Sequence, residues 1–146
     1  MKFIDAGAAI QELYELDTRI NEGIVKAIRG AVKDGVDHAK ATSLFKDKSG
    51  KTRKSIRGAV DDFSMKGTVK ASGAAIYLEN GTPPHEITAK NGGALKFMMN
   101  GQWVFRKSVQ HPGTEPRPFM TEARDHAERS LDYYAVMFVE SAIDHE

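Results

Sequence analysis

Histidines and carboxylates are the side chains in this sequence that could carry chemistry. Three of the five histidines, His85, His111 and His126, show neither the HxH nor the HxxxH spacing of metal ligands, and there is no cysteine. No Gly-x-Ser-x-Gly nucleophile elbow is present, and Gly92-Gly93 lacks the Lys-Ser/Thr that completes a phosphate loop. The sequence therefore predicts no metal, no cofactor and no catalytic residue.

The carboxylates considered for catalysis are Asp61, Asp62 and Glu79. Asp61 and Asp62 adjoin a predicted strand, so they face opposite sides of it and cannot act jointly. Glu79 lies in an apolar stretch, either as a buried acid with a raised pKa or as a carboxylate that closes a turn by accepting a hydrogen bond. We favour the second. A toxin-like hydrolase would need Glu79 and His111 within hydrogen-bond reach.

Charge is unevenly distributed although the net charge is only +1. The segment Lys40–Arg57 carries a local charge of +6, and Met120–Glu146 carries −5. Opposite charge favours pairing within the chain or head to tail between subunits, against the alternative of two solvated faces. The residues predicted at such an interface are Lys46, Lys48, Lys51, Arg53, Lys54, Arg57, Glu128 and Asp132.

Length and composition predict one domain over residues 1–146, with a small core, because only 40% of the residues are apolar. No apolar run approaches the roughly 18 residues of a membrane span, and Met1–Asp5 lacks the apolar core of a signal peptide. We expect a soluble, non-secreted protein that does not contact membranes and takes part of its stability from neighbouring subunits.

Two helices and a small sheet are the predicted elements. Apolar residues at three- and four-residue steps predict a helix over Asp5–Ser43, with Asp5 as N-cap, and a second helix from Pro118 to the end. The glycines at 23, 30 and 35 indicate breaks or close approach of another backbone. An unbroken first helix would be about 60 Å long, so we expect a break near Gly35 or a protrusion onto a neighbour.

The middle of the chain predicts strands and turns. Val60–Ala71 alternates as a half-buried strand, and Ala74–Glu79 fits a strand or a short helix. Asn100-Gly101 predicts a type I′ turn joining Ala94–Met99 to Gln102–Val109. The fold class is therefore α+β, with both helices packed on one face of an antiparallel sheet of three to four strands.

Two irregular segments are predicted to dock onto partners. Pro83–Gly93 and His111–Pro118 are rich in proline and glycine, and we expect the first to be mobile in the free protein. The candidate docking residues are Pro83, Pro84, His85, Ile87, His111, Pro112 and Gly113.

Four short motifs in order resemble the head–tail joining and tail-completion proteins of siphophage necks, a group that includes the lambda tail-completion protein Z. They are Ser-Gly-Lys-Thr-Arg-Lys-Ser-Ile at 49–56, Tyr-Leu-Glu-Asn-Gly-Thr at 77–82, Gly-Ala-Leu-Lys-Phe at 93–97, and His-Pro-Gly-Thr at 111–114 followed by Pro118-Phe119. The resemblance covers roughly residues 10–140. Thr52 stands where the family usually has leucine.

The resemblance implies a structural virion protein that is assembled in the host cytoplasm and has no enzymatic activity. It would form a homo-oligomeric ring, a hexamer or else a dodecamer, between the head connector or stopper ring and the tail tube or terminator proteins. Genome DNA would pass through the lumen without sequence-specific binding. The alternative is a nucleic-acid-binding protein that grips phosphates with Lys46–Arg57, a segment without the aromatics that stack on single strands.

Overall fold

The computed structural model describes residues 6–144, and the predicted N-cap Asp5 lies outside them. The helices are α1 (Ala6–Ala41), α2 (Lys51–Ser55), α3 (Ala74–Asn80) and α4 (Phe119–Ile143). The strands are β1 (Arg57–Asp61), β2 (Lys66–Lys70), β3 (His85–Thr88), β4 (Leu95–Met99), β5 (Gln102–Arg106) and β6 (Ser108–His111). The α+β class is confirmed, with α1 and α4 packed together and the strands all antiparallel.

Glycines in α1 bring the two long helices close together. A Cβ on Gly23 would lie 2.9 Å from the carbonyl oxygen of Phe138, and one on Gly30 would lie 2.8 Å from the ring of Tyr134. Gly35 faces Ala127 in the same way, so the two helices run antiparallel. Because α1 continues unbroken to Ala41, these glycines mark close approach and not a break in the helix.

The N-terminal end of α1 projects past α4. Since Gly23 lies opposite Phe138 and α4 ends at Ile143, the last turn of α4 lies near residue 18 of α1. The projecting end, residues 7–17, therefore extends roughly 16 Å further at about 1.5 Å per residue. Residues 7–15 are all exposed to solvent. The projection is present, and no other part of the chain within residues 6–144 covers it.

Strands pair as three two-stranded ladders and not as one sheet. The ladder β1–β2 packs on α1, where Gly58 and Gly67 admit the side chain of Val32 against the backbone. The prediction of one strand over Val60–Ala71 is wrong, because the chain reverses between Asp61 and Lys66. The carboxylate of Asp61 accepts hydrogen bonds from the amides of Phe63 and Ser64 in this turn, which leaves the Phe63 side chain 99% exposed.

The other two ladders form one long ribbon, which we call the arm, residues 82–114. The β3–β6 ladder continues from the Thr82–Thr114 bridge, and β4–β5 carries the ribbon to its tip. The predicted hairpin is confirmed, with φ of 51° at Asn100 and 78° at Gly101, as a type I′ turn requires. The prediction of a loop throughout Pro83–Gly93 is wrong, because His85–Thr88 pairs with β6. Only Pro83, Pro84 and the segment 89–94, which contains a 3-10 turn at Lys90–Gly92, lie outside the strands.

A small core lies where α1, α2, α3 and α4 meet. It is built around Phe45, Ile56 and Phe119, with three alanines, Ala39, Ala75 and Ala123, completing the cluster. The rings of Phe45 and Phe119 are 4.8 Å apart in a tilted arrangement. Phe119 anchors the start of α4 in this cluster, since it is fully buried.

Candidate interaction surfaces

Glu79 caps the N-terminus of α4 from a neighbouring helix. Its Oε2 accepts the amide of Met120 at 2.8 Å, and its Oε1 accepts the amide of Thr121 at 3.0 Å and the Thr121 hydroxyl at 2.7 Å. The first amides of a helix have no partner within it, and a negative charge there is favourable. The interpretation of Glu79 as a hydrogen-bond acceptor is therefore confirmed, although Glu79 lies in helix α3 and not in a strand.

Removal of the Glu79 carboxylate should loosen α4 from α3. We expect Glu79→Ala to lower the free energy of unfolding by about 1–2 kcal/mol, as loss of a helix cap does, and Glu79→Gln by less because an amide oxygen still accepts. Denaturant melts followed by circular dichroism measure both changes. Glu86→Ala, an exposed carboxylate on β3, is the control, and equal melts for Glu79→Ala and the control would refute the capping role.

His85 and His111 lie side by side in the β3–β6 ladder of the arm. They are cross-strand partners, with ring centroids 5.1 Å apart, and Nδ1 of His111 accepts the amide of Gly113 at 3.1 Å. No hydrogen bond joins Glu79 to His111 in the described part of the chain, so the contact that a hydrolase would require is not made. His126 stacks on His38 between the two long helices, with centroids 4.5 Å apart.

Two Gly-Thr pairs clamp the base of the arm. The amides of Thr82 and Thr114 each donate to the carbonyl oxygen of the other, at 2.9 and 3.0 Å. Gly81 and Gly113 have positive φ, and a side chain on either one would collide with the backbone of the opposite threonine. The two turns that bracket this region in the sequence are thus one reciprocal contact. It fixes the direction in which the arm leaves the helices.

The other predicted docking residues lie near this clamp. Pro83 and Pro84 are exposed just beyond it, and Ile87 is half-buried opposite Val109. Pro112 is exposed, and Gly113 lies in the clamp itself. These residues form the base of the arm, and their docking role stays a prediction.

Arg53 is occupied inside the molecule. Its guanidinium donates to the carbonyl oxygens of Lys40, Thr42 and Phe45, and it lies 4.8 Å from the centroid of the Phe45 ring. A cation at the C-terminal end of a helix is favourable, so Arg53 closes the end of α1. Its replacement would disturb the fold as well as any interface. Charge-reversal tests of the basic segment should leave it intact.

Asp47 holds the turn that leads into α2. The amide of Arg53 donates to its carboxylate at 2.8 Å, and the hydroxyl of Ser49 donates at 3.3 Å. These hydrogen bonds, the Arg53 amide foremost, lower the pKa of Asp47 below its ordinary value. Hydrogen bonds to the charged form of a carboxyl group have this effect.

Asp47→Asn should change how stability depends on pH. Because the folded pKa is depressed, the carboxylate contributes stability that is fully present above the unfolded pKa of about 3.9, and that is lost as the pH falls through the folded value. The stability difference between wild type and Asp47→Asn should therefore be largest at neutral pH and shrink below about pH 4. Urea melts across this range measure it, with Asp132→Asn as control. A pH-independent difference would contradict the assignment.

Four cations line an open cleft beside α2. The cleft has a volume of about 730 Å³, and no carboxylate lines it. The cations around it are Lys51, Lys54, Arg57 and Lys70. Arg57 and Lys70 are directly opposite each other in the β1–β2 ladder, and like charges in that position are destabilising without a counter-charge. Lys46 and Lys48 are exposed in the preceding loop, outside the cleft.

The acidic residues of α4 lie elsewhere. Glu128 and Asp132 are exposed at a shallow concavity shared with Arg129, and Glu128 is 3.6 Å from Arg124 of its own helix. No ion pair in residues 6–144 joins the basic segment to α4. The predicted contact between the two segments, if it forms, therefore joins different copies, and it stays a prediction.

Apolar side chains on two projecting elements were not identified from the sequence. Ile10, Leu13 and Tyr14 on the projecting end of α1 are 51–68% exposed. Met98, Trp103 and Phe105 on the arm are 57–58% exposed. Trp103 and Phe105 share a strand face, and that face is not part of the core. Two sequence patterns could have identified these residues. They are the helical spacing of apolar residues beside acidic ones in α1, and the alternation of apolar and polar residues in β4 and β5.

Ligand sites and relatives add no further assignment. Within residues 6–144 no three His, Asp or Glu side chains gather as a metal site would require, and none of the described helices is both long and apolar enough to cross a membrane. An open groove of about 590 Å³ between β2 and α4 is lined mainly by apolar residues.

No protein-family model, curated protein or solved structure matches this chain.

Proposed function

We propose that this chain is a structural subunit of a siphophage neck, where copies form a ring that joins the head connector to the tail tube and lets genome DNA pass. The motifs at 49–56, 77–82, 93–97 and 111–119 support the family. The observation that carries the proposal is the amount of apolar surface that a single copy leaves open on projecting elements. Such surface marks a protein that functions in contact with others.

More large apolar side chains are exposed than buried in the described chain. Of the ten buried apolar residues in the described chain, six are alanines, which leaves Ile28, Phe45, Ile56 and Phe119 as the large ones. Sixteen large apolar side chains are exposed. A ring that covers part of this surface would stabilise the subunit by mass action. Head-to-tail contacts between identical copies close into rings when the rotation permits.

A nucleic-acid-binding protein is the second candidate, favoured by the cleft of Lys51, Lys54, Arg57 and Lys70. Retention of duplex DNA by the isolated protein should then fall steeply as the salt concentration rises, because binding releases counterions from the phosphates. The triple variant Lys51→Glu, Lys54→Glu, Arg57→Glu spares Arg53 and should abolish retention. The same variant tests the predicted contact with Glu128 and Asp132, which it would impair in the assembled protein.

Disruption of the coding sequence in the genome that produces the particles tests the neck assignment. The expected result is full heads and finished tails that accumulate separately, with joining restored by a plasmid copy of the wild-type chain. Joined particles from the disrupted genome would overturn the proposal. A normal neck together with a loss of DNA binding in extracts would favour the second candidate.

A further inference from the structure

One face of the arm carries aromatic and sulfur side chains around a single cation. The β4–β5 register places Met98 opposite Trp103 and Lys96 opposite Phe105, so these four share a face. The ammonium of Lys96 lies 4.4 Å from the centroid of the Trp103 ring. An isolated two-stranded ribbon is marginally stable in water, and this one exposes its aromatic residues. Such a face is suited to a partner with both apolar and acidic groups.

The projecting end of α1 has that composition. Ile10, Leu13 and Tyr14 follow one another at helical spacing, so they lie on one face of the helix. Each is more than half exposed. Glu12, Glu15 and Asp17 are the charged residues between 7 and 17, where there is no cation.

Charge on the arm is the opposite. Residues 89–107, the outer part of the arm, contain Lys90, Lys96, Arg106 and Lys107 and no carboxylate. An arm with four cations and an apolar face thus matches a helix end with three anions and an apolar face. Complementary potentials of this kind set the register and the partner of an interface.

The base of the arm and the projecting end of α1 lie at opposite ends of α4. The arm leaves from the Thr82–Thr114 clamp, a few residues before α4 begins, while α1 projects where α4 ends. Twenty-five residues of α4 separate these ends, which is about 38 Å of helix. A contact between two different patches at opposite ends is heterologous and repeats from copy to copy.

We infer that the arm of one copy packs its Trp103 face against the projecting end of α1 of the next copy. The inference rests on the proposed ring and specifies the contact that builds it. Trp103, Phe105 and Met98 would cover Ile10, Leu13 and Tyr14, while Lys96, the cation on that face of the arm, would meet Asp17, which lies on the same face of α1. This contact is separate from the predicted one between the basic cleft and α4.

Cysteine cross-linking tests the contact directly, because the chain has no cysteine of its own. Gln11→Cys reports on the projecting end and Gln102→Cys on the tip of the arm, and both positions are exposed and adjoin the apolar residues in sequence without replacing them. We mix the two variants, one carrying an affinity tag, at the highest soluble protein concentration and add a short bis-maleimide. The expected product is a dimer that contains one chain of each variant.

The controls separate this contact from other modes of association. Gln11→Cys mixed with Lys66→Cys, a position on β2, should give no mixed dimer. Dimers formed only within one variant would indicate isologous pairing and overturn the inference, as would the absence of the Gln11–Gln102 mixed dimer. Circular dichroism of each variant establishes that the chain is folded.

A charge swap gives a second test. Lys96→Glu should lose the cross-link, and Asp17→Lys should lose it too. The two substitutions in one chain should restore it, and failure of restoration would overturn the inference. Particles with this chain in the neck but no mixed dimer would overturn the contact alone, whereas a mixed dimer with joined particles from the disrupted genome would overturn the neck assignment alone.

Discussion

Phe119→Ala should lower the free energy of unfolding by about 3–5 kcal/mol, the cost of truncating a buried phenylalanine. The side chain is fully buried, and its ring contacts Phe45 in the core cluster that joins α1, α2, α3 and α4. Because a domain of this size is stable by about 5–15 kcal/mol, the variant should unfold at much lower denaturant concentration. The Ala39, Ala75 and Ala123 neighbours are too small to fill the cavity.

Tyr133→Ala is the matched control for this experiment. It removes an aromatic side chain from the same helix, but one that is 66% exposed, and should change stability by about 0.5 kcal/mol or less, as surface substitutions do. Urea melts at a protein concentration where the chain is monomeric measure both variants. A loss below about 1 kcal/mol for Phe119→Ala would mean that the cluster does not hold the helices together.

Gly81→Ala should be the second most damaging of the changes considered. Its φ of 70° and ψ of −175° lie in a region that only glycine occupies readily, at a cost of about 1–3 kcal/mol for other residues. A Cβ there would also collide with the carbonyl oxygen of Thr114. The reciprocal Thr82–Thr114 hydrogen bonds would break, and the arm would lose its fixed direction.

Gly92→Ala separates strain from collision. Gly92 has a similar φ of 72°, but a Cβ there meets nothing within 4 Å. Thermal melts should show a clearly larger loss for Gly81→Ala, and amide exchange across β3 and β6 should rise in that variant alone. Equal losses in the two variants would mean that the clamp contributes little.

The helices could be predicted from the sequence because their signal is local. Apolar spacing located α1 and α4, and Asn100-Gly101 located the hairpin, since a type I′ turn is encoded by two adjacent residues. The glycines of α1 were identified as points of close approach or breaks, and the structure shows that they are points of close approach.

Non-local contacts could not be predicted in the same way. The β3–β6 ladder joins residues 20 to 26 positions apart, and the prolines and glycines around it favoured a loop. Arg53 looked like any other cation of a basic segment, because only the fold brings it to the last carbonyls of α1. Ile10 and Leu13 continue the same apolar pattern as the buried part of α1. Their exposure follows from the different lengths of α1 and α4, which no local pattern encodes.

The most direct measurement of the central claim is electron microscopy of particles that carry a tagged copy of this chain. The account predicts gold label at the junction of head and tail, and a closed ring of subunits there, six by the family resemblance, with arm density reaching the projecting end of α1 in the next subunit. Purified particles without the label, or with it on the capsid or at the far end of the tail, would contradict the account.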